Sequence, residues 1–243
     1  NLVRIFCGPR GTRFRVSPIL RLRTVMVQMG YRREVDTNNP ARMVDVHFDN
    51  QGQRWYPGTE FLGEGIYIMF DDNDGWSSGL TGETSDRWTA AFNSSDYPSY
   101  VFRDEGCCEE LHPQFVWWHT LSHLLIRAIA SEAGYSSASI RERVYLEVNG
   151  TRQRAAILLY TTQPGSEGTL GGLIAMVTHF QHMFDVSFEQ LRTCSGDPLC
   201  IDQIFQPGEY NGAACYSCLL LSETSCEHRN MWLDRHVLLE NLP

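Results

Sequence analysis

The chain has 243 residues, enough for one large domain or two small ones, and 42% apolar with 12% aromatic residues excludes a disordered tail. No run approaches eighteen consecutive apolar residues, so no membrane-spanning helix is predicted. Net charge is -9, yet residues 1–54 hold ten arginines against four acids, so that segment alone, at about +6, is suited to meet a polyanion.

All 20 basic residues are Arg, whose planar fork grips phosphate or carboxylate bidentately, although codon bias in a GC-rich genome yields the same composition without function. Arg13-Phe14-Arg15-Val16 alternates basic and apolar positions, and Arg10, Arg13, Arg15, Arg21 and Arg23 are the candidate phosphate contacts. Residues 20–30 read as a short helix or strand ended by Gly30, and the period does not choose between them. Residues 44–48 alternate as a strand does, Asp49-Asn50-Gln51-Gly52 is turn chemistry, and Arg54-Trp55-Tyr56 lies on the return. Residues 65–70 form the clearest early strand. Residues 71–112 are rich in Asp, Ser, Gly and Thr and poorly periodic, and read as a long inserted loop that carries the unassigned pair Cys107-Cys108.

The strongest helix is predicted over residues 114–133. Phe115, Trp118, Leu121, Leu125 and Ile129 recur at three or four positions, Trp117, Leu124 and Ala128 widen the apolar face toward burial, and Gly134 supplies the stop. Residues 144–148 alternate, Asn149-Gly150 signals a two-residue hairpin, and the apolar run 155–160 reads as a central strand. A loop with four glycines (161–172) leads into a second amphipathic helix over 173–192. The resulting fold class is α/β, a mixed sheet flanked by helices, with a small C-terminal four-cysteine zinc module. Three segments are expected: an Arg-rich strand and loop subdomain (1–106), a helix–hairpin–helix core (107–192) and the cysteine module (193–243).

Five of eight cysteines fall in that last segment. Cys215 and Cys218 are two thiolates able to bite one ion from a tight turn, and thiols arriving from either side complete a tetrahedral zinc cage. Such a closed four-sulfur site builds structure and does no chemistry. The predicted ligands are Cys200, Cys215, Cys218 and Cys226. Cys194 is an alternative to Cys200, and His228 an alternative to Cys226. This spacing points to a reduced, cytosolic protein. An oxidised, secreted one with disulfides, to which the sequons at Asn93 and Asn149 would be suited, is the alternative.

Cys215-Tyr216-Ser217-Cys218, followed by Glu223-Thr224-Ser225-Cys226 and by Asn230-Met231-Trp232-Leu233-Asp234-Arg235, resembles the C-terminal cysteine domain that accompanies certain superfamily-two helicases. That domain is the zinc-binding domain of MrfA-type repair helicases and of DrmB, the helicase partner in DISARM antiphage systems. Trp55-Tyr56-Pro57-Gly58-Thr59-Glu60, the stretch His119-Thr120-Leu121-Ser122-His123 and Gly168-Thr169-Leu170-Gly171-Gly172 are similar to the DrmB branch. The resemblance implies a structural zinc ion on the four chosen cysteines. It also implies a DNA-binding accessory role beside a superfamily-two helicase subunit (DrmA-like), with no membrane contact. DrmB proteins are longer than this chain.

His119 and His123 stand at i and i+4, as in a zincin, but Thr-Leu-Ser intervenes and the Glu base is missing. A buried hydrogen-bonded pair and a nucleic-acid contact are the two remaining roles. The loop before Gly172 has glycines suited to an anion, but no Gly-Lys-Ser/Thr follows, so it is no nucleotide P-loop. Asp234 and Arg235 sit where an Asp–Arg pair would close the module. The alternative functions are a nuclease-like or other hydrolytic domain using His119, His123 and Glu167, and the C-terminal domain of a DNA repair helicase.

Overall fold

The structure, a computed structural model, describes residues 2–31, 44–71, 79–94, 112–149, 152–161 and 172–243. The chain opens with β1 (Arg4–Cys7) and the long β2 (Arg13–Val27). Two small ribbons follow, β3 (Gly30–Tyr31) with β4 (Val44–Asp45) and β5 (Phe48–Asn50) with β6 (Gln53–Trp55). β7 (Gly58–Phe70) returns along β2, and the hairpin β8 (Ile140–Asn149) with β9 (Arg152–Thr161) completes a five-stranded sheet ordered β1-β2-β7-β9-β8. Neighbouring strands in it are antiparallel at every pairing. Residues 22–27, ambiguous by period, are strand because β7 supplies their backbone partners from Gly58 to Gly63, after a register shift between Ile19 and Leu22.

Alternation sets the two faces of the sheet. Phe14, Val16, Ile66, Ile68, Val144, Ile157 and Leu159 are buried, whereas Arg13, Arg15, Arg143 and Tyr145 are exposed. The predicted hairpin closes with Asn149 opposite Arg152. Because β7 pairs with β9, strands from the expected segments 1–106 and 107–192 share one sheet, and the boundary near 106 does not divide it.

Gly63 lies where β7 passes the end of β9. A Cβ there would run into the Thr161 carbonyl oxygen, a backbone atom that cannot swing aside. Gly63→Ala is expected to lower unfolding stability by about 2 kcal/mol, the scale of forced overpacking, read as a shift in urea midpoint at constant slope.

The predicted central helix is α2 (Pro113–Ala133), the second helix in the chain after α1 (Glu83–Phe92). His112 caps its start by accepting from the Gln114 N–H at 3.1 Å, Pro113 occupies the first turn, and Gly134 ends it at φ 71°. Its residues from Pro113 to Ile126 are all buried, so it is wrapped on every side and not merely laid on the sheet. The expectation of a loop throughout 71–112 is corrected by α1. Its acidic first turn holds Glu83 and Asp86, Glu83 pairs with Arg87, and Trp88 and Ala91 are its buried apolar anchors. With so few anchors in ten residues, its periodicity was easily missed. Cys107 and Cys108 lie outside the described residues.

The second predicted helix is present in three pieces: α3 (Gly172–Ala175), a 3-10 turn (Met176–His179) and α4 (Phe180–Arg192). Phe180, Met183, Phe184, Phe188 and Leu191 of α4 enter the core. The tail from Thr193 to Asp234 has neither helix nor strand, and α5 (Arg235–Glu240) follows it. No helix among the described residues is long and apolar enough to cross a membrane.

Candidate metal centre

A tail without regular structure must satisfy its backbone by other means. Side-chain amides do part of this. Asn230 bridges both polar backbone groups of Leu221 at 2.9 Å each, and Asn211 links the Asn230 carbonyl to the Leu233 N–H. Turn contacts between backbone groups, such as Cys200 N–H to the Gly196 carbonyl and Trp232 N–H to the Tyr210 carbonyl, do more, and a few N–H groups turn to sulfur.

Cys194, Cys200, Cys215 and Cys218 place their Sγ atoms within 4.8 Å of one another. Cys194 to Cys215 is 3.4 Å, Cys200 to Cys218 is 3.7 Å and Cys215 to Cys218 is 3.7 Å. A disulfide needs about 2.05 Å, so none of these pairs is bonded. A tetrahedron with bonds of about 2.3 Å to zinc has edges of about 3.8 Å, and the donor set fits that ion in type and spacing. The Gly196 N–H donates to Cys194 Sγ and the Cys215 N–H to Cys218 Sγ, both at 3.3 Å, contacts that favour thiolate character. Burial pushes the Cys200 thiol up to about 11. Burial opposes ionisation of Cys215 as well, but hydrogen bonds from Cys194 and the local backbone outweigh it and hold that thiol at about 7.

Arg235 clamps the first knuckle. Its guanidinium, fully buried, meets Asp197 through two bonds of 2.8 and 3.1 Å, donates to the Leu191 carbonyl at 2.9 Å and reaches Cys200 Sγ at 3.8 Å. Asp197 accepts in turn from the Cys194 N–H at 2.9 Å and the Ile201 N–H at 3.1 Å. The Asp–Arg closure expected from the sequence exists with Asp197 as the carboxylate. Asp234 caps α5 instead, accepting from the His236 N–H at 2.9 Å.

A family model described as the MrfA Zn-binding domain matches residues 121–219, a span that contains all four clustered thiols. The chain is also 32% identical over 240 residues to the DISARM protein DrmB of Bacillus paralicheniformis, covering 94% of this chain and 41% of that protein. The chain carries a DrmB/MrfA-type Zn-binding domain. It spans about two-fifths of the length of that relative. The crystal structure of the helicase MrfA bound to DNA is similar with a TM-score of 0.39 and 9% identity, over 79% of this chain and 20% of that one.

Within the Zn-binding domain, one predicted ligand is displaced. Cys226 is absent from the four-thiol cluster, and Cys194 stands in its place. The two knuckles, Cys194–Cys200 and Cys215–Cys218, meet through their sulfurs, and Arg235 ties both, its guanidinium to Asp197 in the first and its backbone N–H to the Ala213 carbonyl, two residues before the second, at 3.1 Å, a link that the Cys-x-x-Cys spacing could not reveal. Cys226 lies instead with His119, His123 and Glu142. Assigning His119 and His123 to nucleic acid is likewise corrected, because both imidazoles are 0% exposed and no DNA backbone can reach them. The same burial removes them from a hydrolytic site, and Glu167 lies outside the described residues. Glu142 was missed. Its signal was its phase: it sits two residues from Ile140 and from Val144 on the core side of β8.

The candidate phosphate contacts are exposed residues, but three already hold carboxylates. Arg13 and Arg15 both meet Asp71 at 2.8 Å, and Arg23 meets Glu60 at 2.7 Å. Arg10 and Arg13 border a cleft of about 600 Å³ that Trp117 and Gln114 also line.

Proposed function

We propose that the chain is a DNA-engaging, helicase-associated accessory module of an antiphage defence system, with a structural zinc ion on Cys194, Cys200, Cys215 and Cys218 and no catalysis of its own. The observation that carries this reading is the 32% identity to the DISARM protein DrmB across 94% of the chain. The closed four-thiol geometry supports a structural ion, since no coordination position is left for substrate. Free thiols fit a reducing, cytoplasmic setting. The partner on this reading is a superfamily-two helicase subunit of the DrmA type. Exposed apolar side chains on the outer halves of β2 and β7, among them Leu20, Val25, Val27 and Leu62, supply a surface for such contact.

DNA engagement is assigned to the Arg10, Arg13, Arg15, Arg21 and Arg23 strip. Phosphate must compete with Asp71 and Glu60 for three of these guanidiniums, so Arg10 and Arg21 are the leading contacts. Fluorescence anisotropy with duplex and single-stranded oligonucleotides across a salt series tests this. Affinity is expected to fall steeply with salt, and each of Arg10→Ala and Arg21→Ala should reduce the logarithmic slope on duplex by about 0.9. A flat salt profile removes DNA from the proposal. A second reading, the C-terminal domain of a DNA repair helicase, draws on the match to the MrfA Zn-binding domain. Copurification of a separate helicase polypeptide from the native host favours the accessory module, and a helicase fused to this chain favours the domain.

A further inference from the structure

Cys226, His119, His123 and Glu142 bring one donor atom each to within 4.8 Å, and the four residues come from three separate places: α2, β8 and the tail. The two histidines are one helical turn apart on α2, with ring centroids 4.6 Å apart. His119 Nδ1 faces the Trp232 carbonyl at 3.3 Å, and His123 Nδ1 faces the Leu219 carbonyl at 2.9 Å. A carbonyl only accepts, so each ring carries its hydrogen on Nδ1 and turns the lone pair of Nε2 inward. What those lone pairs meet is another acceptor. His119 Nε2 lies 2.7 Å from Glu142 Oε1 and 3.2 Å from Cys226 Sγ, and His123 Nε2 lies 3.6 Å from the same carboxylate oxygen.

Four acceptors facing one another in the interior repel unless a cation sits among them. A thiol proton on Cys226 would satisfy one nitrogen only. His123 Nε2 and Glu142 Oε1 are buried and lack a hydrogen-bond partner among the described residues. Protonating both rings would place two cations against one carboxylate where none of the three side chains is more than 1% exposed, a costly arrangement without water. The surroundings are those of metal ligands. Each imidazole is oriented by a carbonyl on its far nitrogen, and Glu142 Oε2 accepts from the Ser122 hydroxyl. Cys226 Sγ accepts N–H bonds from His228 and Asn230 at 3.3 Å each. The i+2 contact to His228 repeats the one that Gly196 makes to Cys194 in the four-thiol cluster.

We infer that His119, His123, Glu142 and Cys226 form a second, independent site for a divalent zinc-like transition metal. Nitrogen, oxygen and sulfur donors together suit zinc, and one carboxylate with one thiolate neutralises a dication in the interior. The two nitrogen–oxygen separations, 2.7 and 3.6 Å, bracket the edge of about 3.3 Å expected for bonds of about 2.0–2.1 Å. With all four donors buried the site is closed to substrate. It ties the central helix, strand β8 and the tail beyond the first cluster.

The chain, purified without chelator from zinc-supplemented culture, is analysed for metal content and by zinc-edge X-ray absorption. About two zinc ions per chain are expected, with an averaged shell of about 2.5 sulfur and about 1.5 nitrogen or oxygen neighbours. The absorption measurement needs no variant, so it holds even if substitutions impair folding. His123→Gln and Cys226→Ser should each remove one equivalent and leave an all-sulfur shell. Cys218→Ser should leave the mixed shell. One zinc per chain in an all-sulfur shell, or two zinc ions with sulfur alone, overturns the second site and leaves the four-thiol reading intact. A single zinc in a mixed shell of about one sulfur keeps the second site and removes the first.

Discussion

Cys218→Ser is expected to release one zinc equivalent and open the tail to protease between Thr193 and Leu219, while Cys7→Ser, at an exposed thiol outside the cluster, changes neither. A serine hydroxyl is a poor zinc ligand, and structural zinc in small finger peptides contributes about 10–16 kcal/mol of apparent binding free energy that is also folding free energy. The effect here is local because the tail has further anchors. Phe205 stacks on Trp88 at 3.6 Å, and Leu219, Trp232 and Leu233 are buried in the common core. The sheet and α2 should therefore keep their circular dichroism while the knuckles loosen. Zinc content by mass spectrometry and timed chymotrypsin digestion, which can cut after Phe205, Tyr210 and Tyr216, read the two effects separately. An unchanged zinc content in Cys218→Ser would show that the four thiols hold no metal.

Asp234→Ala should be among the most destabilising substitutions in the chain outside the cysteines. The carboxylate is 0% exposed and gathers donors from three elements: the Trp88 indole at 2.9 Å, the Ala213 N–H at 3.1 Å and the His236 N–H at 2.9 Å. The backbone N–H of Asp234 donates to the Thr120 hydroxyl of α2 at 3.0 Å, which fixes its place. Gly212 packs against it so closely that a Cβ would collide with the carboxylate. Each buried donor left without an acceptor costs about 1–3 kcal/mol, so a loss on the order of 4 kcal/mol is expected, a large part of a usual folding free energy. Urea unfolding followed by tryptophan fluorescence measures it. A loss below about 1 kcal/mol would mean that water replaces the carboxylate and that this junction is open.

Several features were legible because they rest on local rules. The central helix announced itself through Phe115, Trp118, Leu121, Leu125 and Ile129, with Gly134 as the stop, and Asn149-Gly150 marked the hairpin. Cys215-Tyr216-Ser217-Cys218 marked a metal-binding knuckle in the region that the MrfA Zn-binding domain match covers. Others were illegible because they depend on a partner remote in sequence. Residues 22–27 became strand through pairing with β7. Cys194 joins the cluster, and Cys226 joins the histidines, through contacts remote in sequence, Cys194 Sγ with Cys215 Sγ across 21 residues and Cys226 Sγ with His119 across 107.

The sequence by itself determined which residues bury, which turn, and that the tail holds several thiols at metal-ligand spacing, since hydrophobic period, turn chemistry and chelate spacing act over a few residues. Tertiary structure alone decided which sulfur, nitrogen and oxygen atoms share a site. The four thiols meet by the folding of the tail on itself, and the second donor set takes atoms from α2, β8 and the tail, whose meeting is fixed by how the sheet and helix pack, a relation that no local pattern encodes.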